Sequence, residues 1–248
     1  MDVIIPSYLT PDLTTAVVKS FLNKDDKNII SKIVVVENSE ENNYFKDLKS
    51  FSDKILIKNN KTSSKRSLAN AEAIDFGKKY CDSEYIFLAH SDSSPLSPKF
   101  YTKLNQFIKK GYSLVGTLTD KIRIGAIHSS GLLVKNSILS KVNIYPQHIR
   151  KLPKYWEKIY LQDVCDPLTD YVRKNALKHF CFQNTFNGYQ LSNKVENFEI
   201  LSRIDTAIDN KGNPLYVHLG RGTPKTLGEY KIKGKVTPKE FINLINLY

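Results

Sequence analysis

Four short apolar runs dominate the first ninety residues: Val3-Ile4-Ile5, Ile33-Val34-Val35-Val36, Lys54-Ile55-Leu56-Ile57 and Tyr85-Ile86-Phe87-Leu88. Each is continuous rather than alternating between apolar and polar. A strand with one face in water alternates; a strand buried on both faces, as in a parallel sheet covered by helices, does not. Helical patterns separate the runs. Leu13, Val17 and Phe21 recur every four residues, widened by Val18 and Leu22, which is the stripe of a helix packed on a core. Thr10 before Pro11 and Asp12 predicts that helix's N-cap. A second helix is expected over 62–79, with Leu68, Ala69, Ala73 and Phe76 on one face. Strands alternating with helices predict an α/β class: a mostly parallel, Rossmann-like central sheet flanked by helices.

The second half is less regular. Pro98 opens a helix through Phe100, Leu104, Phe107 and Ile108, strands are expected at 113–118, 131–135 and 179–183, and a helix at 166–177. The segment 184–213 is polar and carries no clear period. Thr237 followed three residues later by Glu240 is a capping-box pattern and predicts a C-terminal helix. There is no internal repeat and no linker, so the 248 residues are read as one domain.

Composition narrows the function classes. Hydrophobic residues make up 41%, with 11 Gly and 10 Pro, which excludes collagen-like and wholly disordered chains. No stretch approaches the roughly 20 apolar residues that span a bilayer. The start, MDVIIPSYL, lacks the basic end and apolar run of a signal peptide. Three cysteines without CxxC spacing fit reduced thiols, so a cytoplasmic chain is expected. Lys and Arg number 37 against 25 Asp and Glu, a net charge of +12. That charge fits an anionic partner or a lysine-rich background equally.

The chemistry collects at the strand ends. The apolar runs stop at Pro6-Ser7, at Glu37-Asn38-Ser39 and at His90-Ser91-Asp92. Open α/β sheets bind ligands at the carboxyl ends of their strands. Val3-Ile4-Ile5-Pro6-Ser7-Tyr8, Val36-Glu37-Asn38-Ser39, Lys65-Arg66-Ser67-Leu68-Ala69-Asn70 and Leu88-Ala89-His90-Ser91-Asp92-Ser93-Ser94-Pro95 occur in that order. In order and spacing they resemble the nucleotide-sugar glycosyltransferases of GT-A fold, particularly the large inverting family 2. The likeness covers about residues 2–100 well and the remainder loosely. It implies a nucleotide-sugar-binding half at 1–100 and an acceptor-binding and catalytic-base half at 101–248.

The resemblance implies that Pro6, Ser7 and Glu37 line the base and ribose and that Asn70 and His90 belong to the donor site. It also implies that Asp92 and His218 hold Mn²⁺ or Mg²⁺. A carboxylate suits ribose hydroxyls, and hard divalent cations take carboxylate and phosphate oxygens. His90 stands where the family's Asp-x-Asp motif has its first Asp, which removes a negative charge and puts metal dependence in question. Lys65 and Arg66, with Arg221 in Tyr216-Val217-His218-Leu219-Gly220-Arg221-Gly222-Thr223, are cations for the diphosphate. The family's general base is an Asp just before an amphipathic helix carrying Arg; Asp166 fits first, beside Pro167 and ahead of Arg173, and Asp163 second. Asp166 is equally readable as that helix's N-cap, and Asp170 as solvated. Ser129-Ser130-Gly131 resembles the small-residue turn that shapes the sugar pocket.

The implied activity is inverting transfer of a hexose from a nucleotide diphosphate sugar to a hydroxyl of a glycan, lipid-linked or protein acceptor, in polysaccharide biosynthesis. Peripheral contact with the inner face of the membrane would use the surplus charge. Two other classes stay open: a basic nucleic-acid-binding module using Tyr155, Trp156 and Tyr160, for which no sequence motif is present, and an inactive sugar-nucleotide-binding relative.

Overall fold

The computed structural model describes residues 1–39, 45–120, 125–147, 162–220 and 236–248; Arg221, Tyr155, Trp156 and Tyr160 lie outside them. The first half alternates as expected: β1 (Asp2–Ser7), α1 (Pro11–Asn23), β2 (Lys32–Glu37), α2 (Lys46–Phe51), β3 (Ile55–Asn59), α3 (Arg66–Lys78) and β4 (Tyr85–Ala89). There follow β5 (Ser93–Pro95), α4 (Pro98–Lys109), β6 (Leu114–Gly116), β7 (Thr119–Asp120), β8 (Ala126–Ile127), β9 (Gly131–Lys135) and α5 (Asn136–Leu139). The last third holds α6 (Asp166–Lys174), β10 (His179–Cys181), β11 (Gln183–Asn184), a 3₁₀ turn at Thr185–Asn187, α7 (Phe198–Leu201), β12 (Asp205–Ile208), β13 (Pro214–His218) and α8 (Pro238–Leu247).

Seven strands form the main sheet in the order β10-β6-β9-β4-β1-β2-β3. Four of its pairs are parallel, and only β9 runs antiparallel to its neighbours. The continuous apolar runs divide residue by residue between two cores, as a pleated strand requires. Val3, Ile5, Ile33, Val35 and Phe87 face one side with Val17, Phe21, Phe100 and Phe241. Ile4, Val34, Val36, Ile86 and Leu88 face the other with Ala73, Ile74, Leu168 and Val172. No helix among the described residues is long and apolar enough to cross a membrane.

A second sheet was not anticipated from the sequence. It is antiparallel, in the order β11-β12-β13-β5. The run expected as a single strand at 179–183 is split, β10 joining the large sheet and β11 the small one. β13 pairs with β5, setting His218 opposite Ser93 and Tyr216 opposite Pro95. Tyr216 is wedged among Phe21, Phe87 and Phe100 with ring centroids 5.0 to 6.3 Å apart. Its hydroxyl lies 2.8 Å from both Ser93 Oγ and Ser130 O, tying two site loops to the core.

Three local expectations are corrected. α3 starts at Arg66, not 62, and its buried face is Ala71, Ala73, Ile74 and Gly77, while Leu68 is exposed. The reason is Gly77: the helix crosses β1 and β2 so closely that a Cβ there would sit 2.9 Å from Ile4 Cγ2 and Val36 Cγ2. Thr10 is the N-cap of α1, but its hydroxyl caps no backbone N–H; it reaches Ser91 instead. The N-cap of α6 is Cys165, in the left-handed region at φ 66°, and Asp166 is the first helical residue. The C-terminal capping box of Thr237 and Glu240 is present as expected.

Because Ile4 and Val36 are β-branched and stiff at χ1, Gly77→Val should destabilise the fold by about 1–3 kcal/mol. Urea denaturation checks this. An unchanged midpoint would show that α3 can lift from the sheet without cost.

Candidate metal and donor site

The ends of β1, β2 and β4 and the start of α3 are stitched together by short polar contacts. Ser7 Oγ pairs with Thr14 Oγ1 at 3.0 Å, Thr14 with Thr10 at 3.3 Å, and Thr10 donates to Ser91 Oγ at 3.3 Å. Asn38 N donates to Ser7 O at 2.9 Å and Asn38 Nδ2 to Ala69 O at 3.0 Å. One residue on, Asn70 Nδ2 lies 3.1 Å from His90 Nε2. Pro6 is half-buried and Ser7 buried at the end of β1. Lys65 and Arg66 are exposed at the start of α3, and Arg66 adopts φ 58°. That left-handed backbone, like those of Leu9 and Cys165, is uncommon for a residue with a side chain and concentrates at functional sites.

Glu37 is 1% exposed. Its Oε1 accepts from Ser39 N at 2.9 Å and Leu9 N at 3.4 Å. Its other oxygen, Oε2, has no hydrogen-bond partner among the described residues. A buried carboxylate oxygen left unpaired is costly, and a ligand hydroxyl or N–H at the end of β2 would satisfy it.

The tightest cluster joins residues 128 positions apart in sequence. His90, Asp92 and His218 each offer one ligand atom, all within 4.8 Å of one another. Asp92 Oδ1 lies 3.5 Å from His218 Nε2 and 4.0 Å from His90 Nδ1. His218 Nδ1 faces Asp205 Oδ2 at 3.4 Å, because Asp205 and His218 are directly opposed across β12 and β13. A third imidazole, His128, packs against both others with ring centroids 5.5 Å away. Ser129 Oγ lies 3.1 Å from His90 Nε2, and Ser130 N donates to His128 Nδ1 at 3.2 Å.

The half-buried His90 and the buried His218 are polarised in opposite directions. Burial lowers His90 to about 4, outweighing the pull of Asp92, so the ring is neutral. Burial would also lower His218, but Asp92 and Asp205 flank it and raise it to about 9. The cluster thus carries its positive charge on one imidazolium held between two carboxylates. Two imidazole nitrogens and one carboxylate around a cation-attracting point are a chemically sound donor set for a divalent transition-metal ion, and a poorer one for Mg²⁺, which prefers oxygen alone.

At the start of α6, Asp166 is wholly buried and its Oδ2 accepts from Asp163 N at 2.8 Å. Asp163 is half-buried, with Oδ1 accepting from Val164 N at 2.7 Å. Asp170, expected to be solvated, is half-buried and accepts from Gln162 Nε2. Arg221 lies outside the described residues. His128 and Asp205 were missed by sequence reasoning. His128 abuts the Ser129-Ser130-Gly131 turn that did draw notice, whereas Asp205 falls in the segment without a period.

No family model and no curated protein matches the sequence. Solved structures do. A mannosyltransferase from Pyrobaculum calidifontis, solved in complex with GDP-Man and Mn²⁺, superposes with a TM-score of 0.53 at 9% identity, over 73% of this chain and 53% of that one. Glucosyl-3-phosphoglycerate synthase from Mycobacterium tuberculosis, solved with Mn²⁺ and UDP-glucose, gives 0.48 at 12% over 73% and 68%. S. aureus TarS gives 0.47 at 16% over 59% and 30%. The chain therefore spans about half the length of the mannosyltransferase and less of TarS.

If His90, Asp92 and His218 form one cation site, the wild-type protein should bind Mn²⁺, and Asp92→Ala should weaken that binding by roughly 100-fold or more, beyond the 10–100-fold typical of an outer-shell loss. Titration followed by the electron paramagnetic resonance of free Mn²⁺ checks this. Equal affinity in the two proteins would place the ion elsewhere. The sheet order and the superposition agree: the chain has the GT-A fold.

Proposed function

We propose that this chain is a glycosyltransferase that moves a hexose from a nucleotide diphosphate sugar to a hydroxyl acceptor with inversion. The observation that carries the reading is the meeting of His90, Asp92 and His218 at the carboxyl end of β4, on a fold whose strand ends bind nucleotides. Pro6 and Ser7 would line the base, and the unpaired Oε2 of Glu37 would accept from the ribose or base. His90, Asp92 and His218 would hold the divalent ion. Bound there, such an ion stabilises the negative charge that develops on the departing diphosphate. Lys65, Arg66 and Arg221 would share that task from the protein side.

The chain's own contribution to the acceptor step is a carboxylate. Inversion requires one group to take the acceptor proton as the hydroxyl attacks the sugar carbon from the face opposite the leaving diphosphate. The sequence ranks Asp166 before Asp163. Burial favours the reverse order: Asp166 is 0% exposed and fastens the turn through Asp163 N, while Asp163 is only half-buried. We assign the base to Asp163 and its support to Asp166. The acceptor would be a glycan, lipid-linked sugar or protein, met in the cytoplasm or at the inner face of the membrane.

The test is a panel of UDP-, GDP- and dTDP-sugars with Mn²⁺, read by thermal shift for binding and by chromatography for released nucleotide. At least one donor should stabilise the fold by mass action. With that donor, Asp163→Asn should lower transfer by about 10²–10⁴-fold and leave donor binding intact. Asp166→Asn should instead lower the melting temperature. Full transfer by Asp163→Asn would return the base to Asp166, and no binding of any donor would contradict the proposed activity.

A further inference from the structure

The two histidines of the cluster present different nitrogens to it. His90 approaches Asp92 through Nδ1 at 4.0 Å, whereas His218 does so through Nε2 at 3.5 Å. In each ring the opposite nitrogen faces a protein group. Behind His218, Asp205 Oδ2 lies 3.4 Å from Nδ1. Behind His90, Asn70 Nδ2 and Ser129 Oγ each lie 3.1 Å from Nε2.

A neutral imidazole that offers one lone pair to a metal carries its proton on the other nitrogen and needs an acceptor there. Asp205 stands where such an acceptor is needed, its Oδ2 3.4 Å from His218 Nδ1, an atom without a formed hydrogen bond among the described residues. Asn70 is arranged differently: its amide nitrogen faces Nε2, so it donates to that atom and keeps the His90 proton on Nδ1, beside Asp92. The same carboxamide leaves Oδ1 buried without a hydrogen-bond partner among the described residues. A half-turn of the carboxamide exchanges its two ends. Oδ1 then accepts from Nε2–H, the lone pair of Nδ1 is released toward Asp92, and the Ser129 hydroxyl turns to accept or donate as needed.

We propose that Asn70 and Asp205 are positioning residues that set the tautomers of His90 and His218, so that a divalent ion is held by Nδ1 of the first and Nε2 of the second. This rests on His90, Asp92 and His218 being metal ligands. It accounts for the placement of Asn70 early in α3, against His90, and of Asp205 opposite His218 in β12. It also explains how a histidine serves where a second carboxylate would otherwise stand: the amide behind it chooses which nitrogen is free.

The experiment is ¹⁵N–¹H long-range correlation spectroscopy of the histidine rings in protein titrated with Zn²⁺, a diamagnetic probe, beside Zn²⁺ affinities of variants. His90 should show metal-bound Nδ1 with protonated Nε2, and His218 metal-bound Nε2 with protonated Nδ1. Asn70→Asp, which can only accept from Nε2–H, should bind within a few-fold of wild type. Asn70→Leu and Asp205→Ala should bind roughly 10–100-fold more weakly. Both rings bound through the same kind of nitrogen, or wild-type affinity in Asn70→Leu and Asp205→Ala, would overturn the proposal. Should either variant fail to fold, the wild-type spectra decide alone. A wild type that binds no Zn²⁺ would overturn the metal-site reading itself and this proposal with it.

Discussion

The site depends on one backbone pairing. Leu219 N donates to Asp92 O at 2.9 Å, and β13 continues the ladder along β5, setting His218 across from Ser93. Without that ladder, Asp92 would follow β4 with His90 beside it but without His218. A one-residue slip would turn His218 to the opposite face of its strand. Tyr216 resists the slip, since its ring is locked between Phe87 and Phe100 and its hydroxyl meets Ser93 and Ser130. The aromatic core of the main sheet thereby fixes the register of the small sheet, and the register fixes the site.

The fold of the first half was legible because a strand's burial on both faces writes itself locally. Val3-Ile4-Ile5 and Ile33-Val34-Val35-Val36 admit few other roles, and polar residues at their ends mark one edge of the sheet. Asp92 and His218 were paired through the resemblance, which left His90 among the donor-site residues; the structure brings all three together. Asp205 was not legible, because its role comes from lying opposite His218 across an antiparallel ladder, and register between short polar strands leaves no periodic trace. His128 escaped for a related reason: its meaning lies in contact with two rings from β4 and β13. The α3 face was misjudged at Leu68 because side-chain size suggested burial, whereas the close approach at Gly77 decides which side of the helix touches the sheet.

The net charge of +12 does not originate in the cluster. Asp92 and Asp205 flank a single imidazolium there, so the cluster itself is suited to a cation rather than to an anion.

The central claim is that one metal ion and one nucleotide diphosphate share the end of β4. The most direct measurement is diffraction at the manganese absorption edge from crystals grown with Mn²⁺ and a nucleoside diphosphate. The account predicts a single strong anomalous peak among His90, Asp92 and His218, with the diphosphate on the ion and the base beside Glu37. A nucleotide bound elsewhere, or bound at this edge with the ion away from those three residues, would contradict it.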